Sequence, residues 1–366
     1  MKGQHTALLR RLAAVARIGA AAAAIAAVSA LPVDWVRRGR TATLLAAGLQ
    51  QPHNAAQMLS ERLTPSEAVQ SGAVQTPPYA ATSPEDHTAL LPPAEDDTVP
   101  VVVAPKEDGS GGRVITQKLD TGDTRQHGIA IRNSSGRSVD VAAALTAKLT
   151  PTFTDTDAPQ VLIIHTHTTE GYMRYDAGYY NAGDRDRTTD HTRNVCAVGD
   201  AVVRALAEHG IAAIHDTTVH DSPYSGAYTR SAKTVQSILK AHPTIQVVLD
   251  LHRDALMEGT SGLVKPTVTV DGKKAAQMMI IAGVLSTDAL PNPHWQQNLA
   301  LAAQWQKALT ARYDGLMRPL STVGSRYNQH LHAGYLLVEV GSEGNTVAEA
   351  VYSGEILGKT LAELLK

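Results

Sequence analysis

Three short segments place metal-ligating and proton-transferring side chains directly after, or inside, apolar runs. His165-Thr166-His167-Thr168-Thr169-Glu170 follows Val161-Leu162-Ile163-Ile164, Asp250-Leu251-His252-Arg253-Asp254 follows Val247-Val248-Leu249, and Glu339 lies within Leu336-Leu337-Val338-Glu339-Val340. A carboxylate in an apolar strand costs several kcal/mol unless it is paired or faces a site, so Glu339 needs a role. Two His and one carboxylate, with a fourth position left to water, form the usual donor set of zinc hydrolases, in which the ion brings the pKa of that water toward ~7. This chain supplies such a set. Alternation along an extended segment puts His165 and His167 on the same side, so both are candidate ligands. A single His at a strand end is commonly an ordinary core or surface residue. Two within three residues, a third at another strand end and nearby acids fit that description poorly. His191, His215, His220, His330 and His332 have no comparable setting and read as loop or surface residues.

The elements that must carry these segments are visible in the apolar periodicity. Val161 to Ile164, bounded by Pro159 and a polar stretch, reads as a strand buried on both faces. Asn194 to Glu208 has Val195, Val198, Val202, Ala205 and Leu206 at helical spacing and stops at Gly210. Ile211 to Ile214 is a second strand, Thr229 to Ala241 a helix with Val235, Ile238 and Leu239 on one stripe, and Ile245 to Leu251 a third strand. Met278 to Val284, Asn298 to Ala311, Tyr335 to Val340 and Thr346 to Leu365 continue as strand, helix, strand and helix. This alternation predicts an α/β fold with a mixed, mostly parallel sheet covered by helices on both faces. Ligands of such open sheets gather beyond the carboxyl ends of the strands, which is where the three segments fall. Cys196 lies in the first helix and reads as a small buried residue.

Composition divides the chain. Lys2, Arg10, Arg11 and Arg17 precede an uncharged, Ala-rich run from Ile18 to Val33. That is the pattern of a signal anchor or a signal peptide, and Val28-Ser29-Ala30 resembles a cleavage site. Either reading exports the remainder of the chain. Half of the 18 prolines lie between Gln51 and Pro105, and few large apolar residues recur there, so residues 41–127 read as a disordered tether. Within it, Leu44 to Leu63 reads as a helix and Val99 to Val103 as a weak strand. The expected organisation is a membrane or signal segment over 1–40, a linker over 41–127 and a catalytic domain over 128–366. Gly128 to Pro151 reads equally well as linker or as an element packed on that domain. A single Cys rules out an internal disulfide framework. A net charge of -2, from 33 Lys and Arg against 35 Asp and Glu, provides no cationic face for nucleic acid.

From about Gly128 to Lys366 the chain resembles the stage II sporulation protein P family, whose catalytic domain is similar to zinc-dependent N-acetylmuramoyl-L-alanine amidases of the amidase 3 fold. The resemblance is carried by VLIIHTHTTEGY from Val161 to Tyr172, RNVCAVGD from Arg193 to Asp200, VVLDLHRDA from Val247 to Ala255 and RYNQHLHAGYLLVEVGSEGNT from Arg326 to Thr346. It implies a Zn2+ cofactor, with His167 and His252 as ligands and Glu339 as the catalytic carboxylate in Val338 to Gly341, followed by Asn345. In the broader amidases the ligand Glu begins the first long helix, where this chain has Arg193-Asn194-Val195. Glu170 is therefore the expected third ligand, with His165 as its competitor or as a supporting partner. Arg253 or His165 would stabilise the developing oxyanion, and Asp250 or Asp254 would orient a ligand His.

The implied substrate is peptidoglycan, cut between N-acetylmuramic acid and the first L-Ala of the stem peptide, with a second cut in the peptide cross-links. Tyr172, Tyr175, Tyr179 and Tyr180 either stack on sugars or simply pack their loop. The implied setting is wall thinning at the sporulation septum during engulfment, outside the cytoplasm, beside other engulfment membrane proteins. Two other readings compete. An inactive wall-binding module would bind sacculi without dissolving them. A His-x-His phosphoesterase barrel needs eight strand-helix units in about 250 residues, more than the chain after Val161 provides.

Overall fold

The computed structural model describes residues 103–124, 127–185, 187–258 and 262–366. The expected membrane or signal segment, the helix at Leu44 to Leu63, all but the last residue of the weak strand at Val99 to Val103 and most of the expected tether lie outside these residues. No described helix is long and apolar enough to cross a membrane.

The fold is mixed α/β, and the described strands form two sheets. The first strand, β1 (Gly112–Gln117), belongs to the smaller one, whereas β2 (Ile131–Asn133) forms one edge of a central seven-stranded sheet. The expected strands form β3 (Val161–Ile164), β5 (Ala213–His215), β6 (Val247–Asp254), β10 (Met278–Gly283) and β12 (Tyr335–Ser342). With β11 (Leu320–Val323), the order across the central sheet is β2-β11-β10-β12-β6-β3-β5. Every pairing is parallel except that of β10 with β12. All four side chains of β3 are inaccessible to solvent, as a strand covered on both faces requires, and each such side chain contributes roughly 1.5–3 kcal/mol.

Strand alternation sorts the core into two layers. Val161, Ile163, Leu249, Leu251, Leu336 and Val338 pack into the larger cluster with residues of α2 (Val195–Ala207), α4 (Trp295–Arg312) and α5 (Val347–Leu365). Leu162, Ile164, Val248 and Tyr335 turn to the other face, against Val235 and Ile238 of α3 (Ala227–Ala241). The Asn194 side chain caps α2 by accepting from the Cys196 amide. Thr346 and Glu349 form a reciprocal capping box on α5. Helices α2 and α5 pack closely because Gly358 carries no side chain: a Cβ there would stand 2.7 Å from the Val202 carbonyl.

One expectation changes, and one stretch that read equally well two ways takes the packed form. Strand β1 falls within the predicted tether, yet it pairs in parallel with β8 (Gly262–Val270) and antiparallel with β4 (Tyr179–Tyr180) in the smaller sheet, which also holds β7 (Met257–Glu258) and β9 (Lys273–Ala276). Only Val114 of β1 is buried, so its own sequence has little apolar signal and the pairing with β8 makes it a strand. Residues 128–151 belong to the folded unit: β2 pairs with β11, and the short α1 (Val141–Thr146) comes after it, capped by Asp140.

Candidate active site

The site lies on the α3 face, after the carboxyl end of β3 and along the carboxyl-terminal halves of β6 and β12. Alternation along β6 sends Leu249 and Leu251 into the larger core and leaves Asp250 and His252 together on the opposite face. Parallel pairing then sets Glu339 of β12 in register with His252. The turn after β3 is anchored to the same strand: the Thr166 amide and hydroxyl donate to the two oxygens of Asp250 at 2.8 and 2.6 Å. The Glu170 amide closes back on the His167 carbonyl at 3.1 Å, the Val195 amide donates to the Glu170 carbonyl, and the Arg253 amide donates to Glu170 Oε2 at 3.1 Å. Glu170 is thereby directed at His252.

The result is a close approach of His252 to two carboxylates, with His167 beside it. His252 Nδ1 is 3.3 Å from Glu170 Oε2, and its Nε2 is 2.9 Å from Asp250 Oδ1, in ion-pair range but without hydrogen-bond alignment at Nε2. Burial would lower the His252 pKa, but Asp250 and Glu170 outweigh it and hold the ring well above its usual value. Burial would raise Glu170, but His252, His167 and Arg253 hold it below the usual carboxylate range. The His167 ring stands 5.3 Å from that of His252 at 83°, and burial lowers its pKa to about 4. Its Nδ1 is buried without a hydrogen-bond partner, as is Oε2 of Glu339. Burial, then repulsion from Asp254, raises the Glu339 pKa to about 8.

These features suit a bound cation. A neutral imidazole with an orphaned buried nitrogen, a second imidazole beside an ionised carboxylate and a further unpartnered carboxylate oxygen are the costs a cation removes. His167, Glu170 and His252 are the residues that would hold it, and Asp250 stands behind His252 as the supporting carboxylate.

The other expected residues stand elsewhere. His165 is fully buried behind the group, its Nδ1 3.0 Å from the Leu251 carbonyl and its Nε2 2.8 Å from His215 Nε2. The Arg253 guanidinium is buried and donates to the Gly171 carbonyl and to Glu343 Oε2, and Asp254 pairs with Arg318 at 2.9 Å. Both ring nitrogens of His165, and Nε and Nη1 of Arg253, are thus already partnered. The tyrosines expected on a sugar-binding loop are largely packed. Tyr172 is 1% exposed and donates to the Val340 carbonyl, while Tyr175 and Tyr180 are buried beside Val114 and Leu263.

The aromatic surface of the site comes instead from the loop after β5, the first turn of α3 and the loop after β11. Tyr224 is 50% exposed and stacks on His167 at 4.4 Å and 6°, while Tyr228 meets His167 edge-on at 5.6 Å. Tyr327, with φ 46°, lies 5.4 Å from Tyr228. Arg187 lies over Tyr224 at 4.8 Å and bridges Asp221 at 2.5 Å to Glu170 Oε1 at 3.4 Å. Asp221 also accepts from the Thr169 hydroxyl at 2.6 Å. His215 and His220, read from sequence as loop or surface residues, are both partnered in the interior. His220 Nδ1 lies 3.0 Å from the His165 carbonyl. The signal for this loop was positional: it leaves the carboxyl end of a strand beside β3, where ligands gather.

Comparison with known proteins agrees with the motifs. Residues 98–362 match the model of the family described as stage II sporulation protein P. The stage II sporulation protein P of Bacillus subtilis (strain 168) is 27% identical over 226 residues, 58% of this chain and 53% of that protein. The chain thus spans about half the length of the curated relative it matches. Among solved structures, an N-acetylmuramyl-L-alanine amidase from Mycobacterium abscessus aligns at 12% identity and TM-score 0.31, covering 57% of this chain and 95% of that one. An N-acetylmuramoyl-L-alanine amidase from Clostridium difficile 630 aligns at 16% identity and TM-score 0.31, covering 57% and 94%. With the family match running over most of the chain, and with each of the four motif runs inside it, this protein belongs to the stage II sporulation protein P family.

Proposed function

We propose that the chain is a zinc-dependent peptidoglycan hydrolase that cleaves the amide between N-acetylmuramic acid and the first L-Ala of the stem peptide. The observation that carries this reading is the register of Glu339 with His252: a carboxylate with a buried, unpartnered oxygen stands beside a two-His, one-carboxylate donor set. His167, Glu170 and His252 are the proposed ligands. Zinc, when bound, supplies Lewis-acid polarisation of the scissile carbonyl and a water of lowered pKa. Glu339 Oε2 takes the proton of the attacking water and delivers it to the nitrogen of the leaving L-Ala as the C–N bond breaks. Asp250 orients His252, and Tyr224 holds the plane of His167 by stacking. Arg253 and His165 serve as framework in this reading, because both ring nitrogens of His165 and Nε and Nη1 of Arg253 already have partners.

A membrane or signal segment in residues 1–40 would place the enzyme outside the cytoplasm, with the septal wall of the sporulating cell as substrate and other engulfment membrane proteins as neighbours. Family membership and the exported-protein pattern of the N-terminus support this setting. The test incubates the full chain in detergent with isolated sacculi, with and without chelator, and reads soluble products by mass spectrometry. Zinc-restored release of stem peptides with a free N-terminal L-Ala is expected. Products cut inside the cross-links would add a peptidase activity. Binding to sacculi with no soluble product, zinc present, would overturn the enzyme reading in favour of a wall-binding module.

A further inference from the structure

A second group of ligand atoms lies behind the proposed active site. One ring nitrogen each from His165 and His215 and the Cys196 Sγ lie within 4.8 Å of one another, and all three side chains are buried: His165 and Cys196 are 0% exposed and the His215 side chain 4%. None of the three belongs to the proposed catalytic set.

The hydrogen bonds on the far side of each ring decide what the near side presents. His165 Nδ1 is 3.0 Å from the Leu251 carbonyl, which can only accept, so that nitrogen carries the hydrogen. His215 Nδ1 is 2.8 Å from the Asp200 carboxylate and likewise carries its hydrogen. Each ring is therefore oriented through its outer nitrogen by a backbone carbonyl or a carboxylate, the arrangement that fixes histidine ligands around metals. The inner nitrogens are left facing each other at 2.8 Å. Two imidazole lone pairs at that distance repel unless a cation lies between them, and the candidates are a proton or a metal ion. The buried thiol of Cys196 adds a third donor. The space itself is kept open by Gly199, where a Cβ would stand 2.3 Å from His215 Nε2 and 2.9 Å from His165 Nε2.

We propose that His165, Cys196 and His215 supply three donors of a second zinc site, separate from the proposed catalytic one. Two imidazoles and a thiolate suit zinc among the available divalent ions. Binding displaces the proton shared by the two rings and the proton of the thiol, so two protons leave per ion bound. The site ties the end of β3, through His165, to Leu251 of β6, the residue next to His252. It holds the framework of the catalytic group and takes no part in the reaction.

The test counts zinc per chain in the full-length protein after loading and dialysis, and reads the cobalt-substituted protein for the near-ultraviolet charge-transfer band of a thiolate–cobalt bond. Two zinc ions per chain and a thiolate band are expected. Cys196→Ser should abolish the band and remove one ion. His167→Gln should keep the band, whatever it does to wall hydrolysis, which separates failure of this site from failure of the catalytic reading. A wild-type cobalt protein without a thiolate band, or a zinc count unchanged by Cys196→Ser in a folded protein, would leave only a shared proton between the rings and overturn the proposal.

Discussion

His252 and Glu339 stand directly opposite each other on the parallel strands β6 and β12. Neighbouring parallel strands lie about 4.8 Å apart, so their side chains project from the same face within reach of one reacting group. The imidazole is kept charged by Asp250 and Glu170, while the carboxyl of Glu339 is kept protonated by burial and by Asp254. Both pKa values are raised, so both groups hold their protons in the metal-free protein; a cation bound there would displace the proton of His252, and its charge would favour the ionised form of Glu339.

Glu339→Gln keeps the shape of the side chain and removes its ability to carry the transferred proton. Sacculus hydrolysis should fall by about 10²–10⁴-fold, with zinc content unchanged. Product release measured by mass spectrometry, alongside elemental analysis, checks this. Full turnover in a zinc-replete variant would remove Glu339 from the reaction.

The same residue makes the metal-free protein pH-sensitive. Its folded pKa is raised from 4.5 to about 8. Between these values the native state keeps a proton that the unfolded chain has released, so the Glu339 contribution to stability declines as pH rises through the window. His165 and His167, lowered to about 3 and about 4, act below pH ~6.5 in the opposite sense, with stability lost as pH falls. A denaturant series on chelated wild type and Glu339→Gln isolates the carboxylate. The variant should gain on wild type from about pH 4.5 to about pH 8, and parallel curves would contradict the raised pKa.

Tyr224 stacks flat on His167 at 4.4 Å, and no hydrogen bond fixes Nδ1 of that imidazole. An aromatic pair is worth roughly 0.5–1.5 kcal/mol beyond its buried area, or about 2–10-fold in an equilibrium. Tyr224→Ala should weaken zinc binding by about that factor in a chelator competition, and Tyr224→Phe should restore it. If both variants bind zinc as wild type does, stacking does not position His167.

Helices α2 and α5 meet where Gly358 faces the Val202 backbone and the Ala205 methyl. A Gly358→Val chain must push the helices apart, at a cost of about 1–3 kcal/mol. The thermal midpoint should fall accordingly, and an unchanged midpoint would show that the contact can relax.

The strands that carry the chemistry were legible because their runs are continuous and apolar. Val161 to Ile164 occupies the residues expected of it, β6 and β12 extend only a few residues beyond theirs, and Glu339 stood out as a charge in an apolar strand. Local sequence also sufficed for the helices, whose stripes and caps lie within a few residues of one another. It could not reveal β1, because a strand with one buried residue exists only by pairing with β8, which lies about 150 residues further along the chain. Nor could it separate His165 from His167. Alternation places both on one side of an extended chain, but the chain turns after β3, and the Leu251 carbonyl draws one ring inward while Tyr224 covers the other. Residue types and their order along the chain determined which chemistry is available. The contacts between distant segments decided which atoms meet, because a turn or a register of one residue redirects a side chain from one face of the sheet to the other.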